Sequence, residues 1–193
     1  LYAFRAQKPW QAPTSEVYLV TRAGMVLPPE EHTRLVRDYI AAADAENRPK
    51  RDNARIALTG SFCEQPPLAP IKSIEMSGCY IVDDDCMLVN RWLLDDVPAD
   101  ANPLEELSKA FLHRSASTAA KYDAKREDKG RFLVDSVKQH AAEGVIFAAP
   151  SFCDPALLER PMLQEVLAKH GIPYTAFKYA ENTGQMAPIR EQA

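Results

Sequence analysis

The chain has 193 residues, of which 46% are hydrophobic and 26% are charged, and its formal net charge is −4. This is enough to bury the core of one domain, or of one domain with an appendage. Nucleic-acid binding needs a clustered basic surface and a membrane span needs roughly 20 apolar residues, so neither nucleic acid nor a membrane is an expected partner.

The first 50 residues are expected to form a helical connecting segment (residues 1–50). Residues 16–47 carry two apolar stripes at helical spacing. Between the stripes, the run Pro-Pro-Glu-Glu at 28–31 suits a helix start, because proline fits the first turn and acids favour the positive end of the helix dipole. The charged, proline-broken run 48–52 is the predicted boundary before an α/β domain over residues 51–193.

Beyond this boundary, strand and helix patterns alternate. Strands are predicted over residues 54–60, 79–83, 144–149 and 172–177. Helices are predicted over residues 66–77, 103–117, 128–142 and 155–170. Strands separated by helices imply a parallel sheet, so the predicted fold is a flavodoxin-like (Rossmann-like) three-layer α/β domain with a four-stranded parallel sheet in the order 2-1-3-4. The switch point, where such sheets bind ligands, then lies between the first and third strands.

We expect both ends of the chain to be artificial. It starts at Leu1 rather than Met, and residues 189–193 resemble the first turn of an unfinished helix. An acidic chain with no visible signal peptide is expected to be cytoplasmic, where thiols stay reduced. Each of the four cysteines is therefore a core residue, a metal ligand or a reactive thiol, and packing in the core is the default.

One short motif occurs twice. Ser61-Phe62-Cys63-Glu64 and Ser151-Phe152-Cys153-Asp154 each follow a predicted strand and precede a predicted helix. In the predicted strand order both lie at the carboxyl edge of the sheet, beside the switch point. There the start of the following helix favours the thiolate that metal ligation needs. The residues alone support two interpretations about equally: a ligand site, or two similar turns whose cysteines pack beneath them. They also give no reason to prefer Cys63 or Cys153 as the ligand.

Other polar groups near this edge are less specific. The triplet Asp83-Asp84-Asp85 suits a metal site or a helix cap, although such a run is more often a solvated strand end. Cys86 follows it at the same strand end, whereas Cys79 falls within an apolar strand and is expected to pack in the core. Residues 181–185 follow the fourth strand and either project polar groups over the same edge or form a turn. With no CxxC, HxxxH or phosphate-binding glycine loop, the chain is not expected to close a metal site by itself.

Four segments together resemble a known family. They are residues 60–68 (GSFCEQPPL), 77–85 (SGCYIVDDD), 147–155 (FAAPSFCDP) and 179–185 (YAENTGQ). Over essentially its whole length the chain resembles the benzoyl-CoA reductase / 2-hydroxyacyl-CoA dehydratase family, which includes the 2-hydroxyglutaryl-CoA dehydratases. It is most similar to the carboxyl-terminal half of the smaller, cluster-bearing gamma (C) subunit of the ATP-dependent class I reductases.

The resemblance implies an iron–sulfur site. A 4Fe-4S cluster would be held by three cysteines of one subunit, two in an amino-terminal domain and one that matches Cys153. Cys63, Cys79 and Cys86 match no ligand position. The residues expected to bind substrate are Ser61, Phe62, Cys63, Glu181 and Gln185.

The resemblance also implies partners and a reaction. The partners are other reductase subunits of a heterotetramer, an activator pair that hydrolyses ATP with Mg²⁺, ferredoxin as electron donor and an aromatic acyl-CoA substrate. The expected activity is an oxidoreductase reaction of anaerobic aromatic degradation, the reduction of benzoyl-CoA to cyclohexa-1,5-diene-1-carbonyl-CoA.

Two alternatives stay open at this point. One is a subunit of a 2-hydroxyacyl-CoA dehydratase, which uses a recycled electron to eliminate water. The other is a non-catalytic, flavodoxin-like scaffold module whose cysteines only pack. In any of these cases the fragment alone is expected to bind no cluster and to be inactive.

Overall fold

A computed structural model of the chain describes residues 1–60, 66–87, 91, 94–99, 102–115 and 130–180. Its helices are α1 Tyr2–Gln7, α2 Thr14–Ala23, α3 Pro29–Ala45, α4 Leu68–Met76, α5 Pro103–His113, α6 Arg131–Gln139 and α7 Asp154–Lys169. Its strands are β1 Ala54–Thr59, β2 Cys79–Asp84, β3 Gly144–Pro150 and β4 Tyr174–Tyr179. Each predicted strand and helix is present, with ends shifted by a few residues. In the described ranges, no helix combines the length and the apolar character that a membrane crossing requires.

The four strands form one sheet in the order β2-β1-β3-β4, and every neighbouring pair is parallel. This confirms the predicted strand order and the switch point between β1 and β3. The pairing of β1 with β2 is irregular between Ile56 and Ala57, so that Val82 is passed over and Asp83 lies opposite Ala57. A bulge of this kind changes the direction of the residues that follow it, which here are the acidic residues at the end of β2.

Helices cover both faces of the sheet. On one face, Ile71 and Ile74 of α4 pack in a core with Ile81 of β2 and with residues of all three other strands. On the other face, α6 and α7 pack against Val145 and Phe147 of β3. Strand β3 is buried at every position after Gly144, which agrees with its lack of polar alternation. These layers confirm the predicted flavodoxin-like three-layer α/β fold.

The first two helices lie against the outer strand of the sheet. Arg5 of α1 is completely buried and forms an ion pair with Asp84 at the end of β2. Its Nη1 also donates to Thr14 Oγ1 at 3.2 Å, and that hydroxyl donates to the Ile81 carbonyl at 2.9 Å. The contacts of α1 and α2 therefore cover β2, which would otherwise present an open sheet edge. The division of the chain at residues 48–52, between α3 and β1, stays a prediction.

The interpretation of the acidic triplet as a solvated strand end was wrong. Asp84 and Asp85 are both buried, and each has an arginine partner, Arg5 and Arg91. A carboxylate leaves water only where a cation and hydrogen-bond donors replace its hydration. The two arginines come from segments that are distant from one another in the chain, so the triplet by itself gave no sign of them.

Asp84→Ala should destabilise the protein strongly, because it leaves the Arg5 guanidinium buried without its carboxylate. Removing one partner of a buried pair costs about 3–5 kcal/mol. The matched control is Asp44→Ala, whose carboxylate pairs with Lys8 where both side chains are half-exposed, and which should cost less than about 1 kcal/mol. Urea unfolding of the full-length subunit measures both changes. Equal losses for the two variants would contradict the assigned role of Asp84.

Candidate functional site at the carboxyl edge of the sheet

The carboxyl ends of β1 and β3 meet at the switch point of the sheet. Thr59, the last residue of β1, lies opposite Phe147 of β3, and β3 continues to Pro150. The turn that follows β3 carries the second copy of the repeated motif. The first copy, with Ser61, Phe62 and Cys63, lies outside the described residues, as do Glu181 and Gln185. The substrate-binding role of those five residues stays a prediction.

Cys153 occupies the N-cap position of α7 and is 1% exposed. Its backbone N–H donates to the Pro150 carbonyl at 3.0 Å, and its own carbonyl accepts from Leu157 N–H at 3.0 Å. The side chain packs with Ala149 and Ala156, and it is not in a disulfide. The thiol is therefore fixed by backbone hydrogen bonds and by small apolar neighbours at the edge of the sheet.

The turn that presents Cys153 is also tied to the fourth strand. The backbone N–H and the hydroxyl of Ser151 both donate to the Tyr179 carbonyl, at 2.8 and 3.0 Å. Phe152, between Ser151 and the cysteine, is 93% exposed. The three residues of the second Ser-Phe-Cys copy therefore have different surroundings. The serine anchors the turn, the phenylalanine faces solvent and the cysteine is buried.

Cys79 and Cys86 have different surroundings. Both thiols lie in the core on the α4 side of the sheet. Burial raises the pKa of the Cys79 thiol. Burial, together with the charges of Asp84 and Asp85, raises the pKa of the Cys86 thiol well above its usual range. A thiol that is kept protonated is a poor metal ligand, so these two cysteines pack in the core, as was predicted for Cys79.

Hydrogen bonds join the end of β2 to the residue that follows β1. Asp85 accepts from the Thr59 hydroxyl at 2.6 Å and from the Gly60 N–H at 3.1 Å. Gly60 has a φ of +110°, and a Cβ placed on it would lie 2.9 Å from the Ala148 carbonyl oxygen. Glycine is therefore required here both by its backbone conformation and by the close approach of β3.

Two further residues of this edge, Arg91 and Glu159, were not predicted from the sequence. Arg91 lies between two carboxylates: its Nε is 2.8 Å from Asp85 and its Nη1 is 3.1 Å from Glu159 of α7. The guanidinium also lies over the Phe132 ring, 4.8 Å from its centroid. One signal for Glu159 was present in the sequence, since it falls four residues before Leu163, on the stripe of α7 that is buried. We call Asp85, Arg91 and Glu159 the Arg91 cluster.

The donors for a metal are incomplete in the part of the chain that the structure describes. Those ranges contain no group of three or more His, Cys, Asp or Glu side chains that could hold a metal ion. Cys153 offers one sulfur donor of the kind that iron–sulfur clusters use. A cluster at this edge would need its other ligands from residues beyond the described ones.

The fold and this edge together define a class of protein: a flavodoxin-like α/β unit with a buried cysteine that follows its third strand at the switch point. A family model described as 2-hydroxyglutaryl-CoA dehydratase, D-component, matches residues 1–193. The chain belongs to this family, which confirms the resemblance seen in its motifs.

Individual relatives differ widely in identity. The chain is 61% identical over all of its 193 residues to the C subunit of the benzoyl-CoA reductase of Thauera aromatica, and it covers 50% of that protein. It is 28% identical over 162 residues to the (R)-phenyllactyl-CoA dehydratase beta subunit of Clostridium sporogenes, with 84% of the chain and 42% of the relative covered. It is 27% identical over 165 residues to the beta subunit of the (R)-2-hydroxyglutaryl-CoA dehydratase of Acidaminococcus fermentans, with 84% and 43% covered. The chain thus spans about half the length of the curated relatives it matches.

Gly60→Ala should destabilise the protein more than Gly78→Ala. Both glycines have positive φ, +110° and +96°, and a Cβ on Gly78 would meet nothing within 4 Å. Alanine at Gly78 therefore suffers only the conformational strain, about 1–2 kcal/mol, whereas alanine at Gly60 also clashes with the β3 backbone. Chemical denaturation of the two variants separates the effects. Equal losses would show that the approach of Ala148 does not constrain this turn.

Proposed function

We propose that this chain is part of the gamma (C) subunit of an ATP-dependent benzoyl-CoA reductase. The enzyme would be an oxidoreductase that reduces benzoyl-CoA to cyclohexa-1,5-diene-1-carbonyl-CoA with electrons from ferredoxin. The observation that carries the proposal is the 61% identity over the whole chain to the C subunit of a benzoyl-CoA reductase, against 27–28% to dehydratase beta subunits.

In this proposal Cys153 is one protein ligand of a 4Fe-4S cluster. Its buried thiol has the donor chemistry that a cluster needs, and its other protein ligands lie outside the described residues. When bound, the cluster supplies single electrons at low potential. Ser151 fixes the turn through its two hydrogen bonds to Tyr179, while Ala149 and Ala156 keep the surroundings of the thiol apolar. An apolar, water-poor environment is one of the means by which a protein adjusts a cluster's potential.

The remaining parts of the proposal concern the substrate and the partners. Residues of the same edge would bind the aromatic acyl-CoA: Ser61, Phe62, Cys63, Glu181 and Gln185. The relatives are named as subunits, which supports an assembly of several chains. We propose a cytoplasmic heterotetramer in which partner subunits hydrolyse ATP with Mg²⁺ and receive electrons from ferredoxin.

A second candidate function is favoured by the family itself. Both the family description and two of the relatives name 2-hydroxyacyl-CoA dehydratases. A dehydratase subunit would share the fold and the cysteine but would eliminate water from a 2-hydroxyacyl-CoA. The lower identity to those relatives makes this the weaker candidate.

Cys153→Ala in the full-length subunit, purified anaerobically with its partners, should lower the iron content and abolish acyl-CoA reduction. The physical reason is the loss of one thiolate ligand. Iron analysis and the electron paramagnetic resonance spectrum of the reduced protein measure the loss. Cys79→Ala is the matched control, since that thiol is equally buried but packs within β2, and it should retain iron. Full iron content in the Cys153 variant would support a packing role only, as expected for a scaffold module.

The reaction itself is tested by supplying the anaerobic complex with benzoyl-CoA or with a 2-hydroxyacyl-CoA, together with ATP and reduced ferredoxin. We expect benzoyl-CoA to be consumed, with ATP hydrolysed in proportion to the electrons transferred. Conversion of the 2-hydroxyacyl-CoA with only catalytic ATP would instead identify a dehydratase. Product analysis and ATP stoichiometry are the measurements.

A further inference from the structure

The Arg91 cluster contains more negative groups than positive ones. Asp85 and Glu159 lie on either side of Arg91, and the exposed fractions of Asp85, Glu159 and Arg91 are 8%, 2% and 3%. If both carboxylates were ionised, the cluster would hold two negative charges and one positive charge away from water. An uncompensated buried charge is costly, and proteins usually avoid it by binding a proton or a cation.

The two carboxylates are not equally well bonded. Asp85 accepts from the Thr59 hydroxyl and the Gly60 N–H in addition to its ion pair with Arg91. Glu159 accepts from Arg91 Nη1 through Oε2, while its Oε1 is buried and has no hydrogen-bond partner among the described residues. The cluster therefore combines an excess carboxylate with an unpartnered oxygen on a side chain that is almost fully buried.

Among the described residues, the ion pairs of the cluster involve one cation, Arg91. Arg5 is committed to Asp84 and is 4.0 Å from Asp83, and the carboxylate of Asp83 is 3.5 Å from His140 Nδ1, just after α6. From α6 the Arg91 cluster meets the uncharged Phe132 ring. The neighbouring carboxylate of Asp84 is also negative, and its charge raises the pKa of Asp85 further.

We propose that the Arg91 cluster holds one proton at neutral pH and acts as a proton store at the sheet edge that carries Cys153. On release, the O–H bond of the carboxylic acid breaks, the proton passes to the acyl-CoA substrate as electrons reduce it, and the resulting carboxylate stays paired with Arg91. Use of this proton in reducing a ring rests on the proposed function, since that reaction adds protons as well as electrons. The presence of the proton does not rest on it.

The direction of titration agrees with this geometry. Burial raises the pKa of Asp85, and the Arg91 guanidinium and the Thr59 hydroxyl oppose this rise. An acid whose pKa is higher in the folded state than in the unfolded state binds its proton more tightly when folded. The stability that this group contributes is therefore complete at acid pH. It declines as the pH rises from the ordinary pKa of an aspartate, about 4, through the higher pKa of the folded state.

The decisive variant is Glu159→Gln in the full-length subunit within its complex. This change leaves one carboxylate for one guanidinium, so the remaining Asp85 should ionise. We expect the variant to fold with at least the wild-type stability at neutral pH. Its stability should also decline less between mildly acidic and neutral pH than that of the wild type. The matched control is Glu165→Gln on the same helix, whose carboxylate forms an exposed pair with Lys169 and should leave the pH dependence unchanged.

Infrared spectroscopy detects the proton directly. We expect the wild-type complex to show at neutral pH a carbonyl stretch of a protonated carboxyl group that shifts in D₂O. This band should be lost in Glu159→Gln and retained in Glu165→Gln. Identical spectra of wild type and Glu159→Gln would overturn the proposal, and so would a Glu159→Gln protein that cannot fold, because an ionised Glu159 would then be needed by Arg91.

These results are independent of the reaction. If the band is present in the wild type and lost in Glu159→Gln while benzoyl-CoA is not reduced, the proton store stands and the proposed function fails. If benzoyl-CoA is reduced and the band is absent, the function stands and the proton store fails.

Discussion

A charged group that is buried must find its counter-charge inside the protein, and this constraint organises the end of β2. Three aspartates follow one another there, and they point in different directions because successive side chains of a strand alternate between its two faces. Asp84 pairs with Arg5 and so attaches the amino-terminal helices to the outer strand. Asp85 pairs with Arg91, which also pairs with Glu159 of α7. A short acidic run thus connects the amino-terminal helices and α7 to the sheet, and two of these ion pairs, Arg5–Asp84 and Arg91–Glu159, join residues that are far apart in the sequence.

The position of Cys153 depends on the same edge. Its helix, α7, is joined to the Arg91 cluster through Glu159, and its turn is joined to β4 through Ser151. The cysteine is therefore fixed from two sides, which is the rigidity expected of a residue that holds a cofactor at a set position. Cys79 and Cys86 are buried about as deeply, but burial raises the pKa of both thiols, with the charges of Asp84 and Asp85 adding to the rise at Cys86. Depth of burial does not distinguish the proposed ligand from the other two cysteines, whereas the position of Cys153 at the start of a helix does.

Family membership and partial coverage support one interpretation together. The chain belongs to the family described as 2-hydroxyglutaryl-CoA dehydratase, D-component, and it spans about half the length of the reductase and dehydratase subunits that it matches. Within the described ranges, Cys153, the cluster ligand that we propose, is not part of a group of three or more His, Cys, Asp or Glu side chains that could hold a metal ion. A site completed by residues elsewhere in a longer subunit accounts for both observations. The unequal identities then favour the reductase chemistry over the dehydratase chemistry.

The sequence by itself determined the fold, because hydrophobic periodicity and the spacing of strands and helices are local properties that a parallel sheet reflects directly. It placed Cys153 after a buried strand, at the start of a helix, and the structure agrees. It left Cys63 and Cys153 equivalent, and family resemblance rather than spacing separated them. Only the tertiary structure showed that Asp84 and Asp85 are buried and that Arg91 and Glu159 join them. The Arg5–Asp84 and Arg91–Glu159 pairs bring together residues that are far apart in the chain, and the cost of burying each charge is visible only when its partner is known.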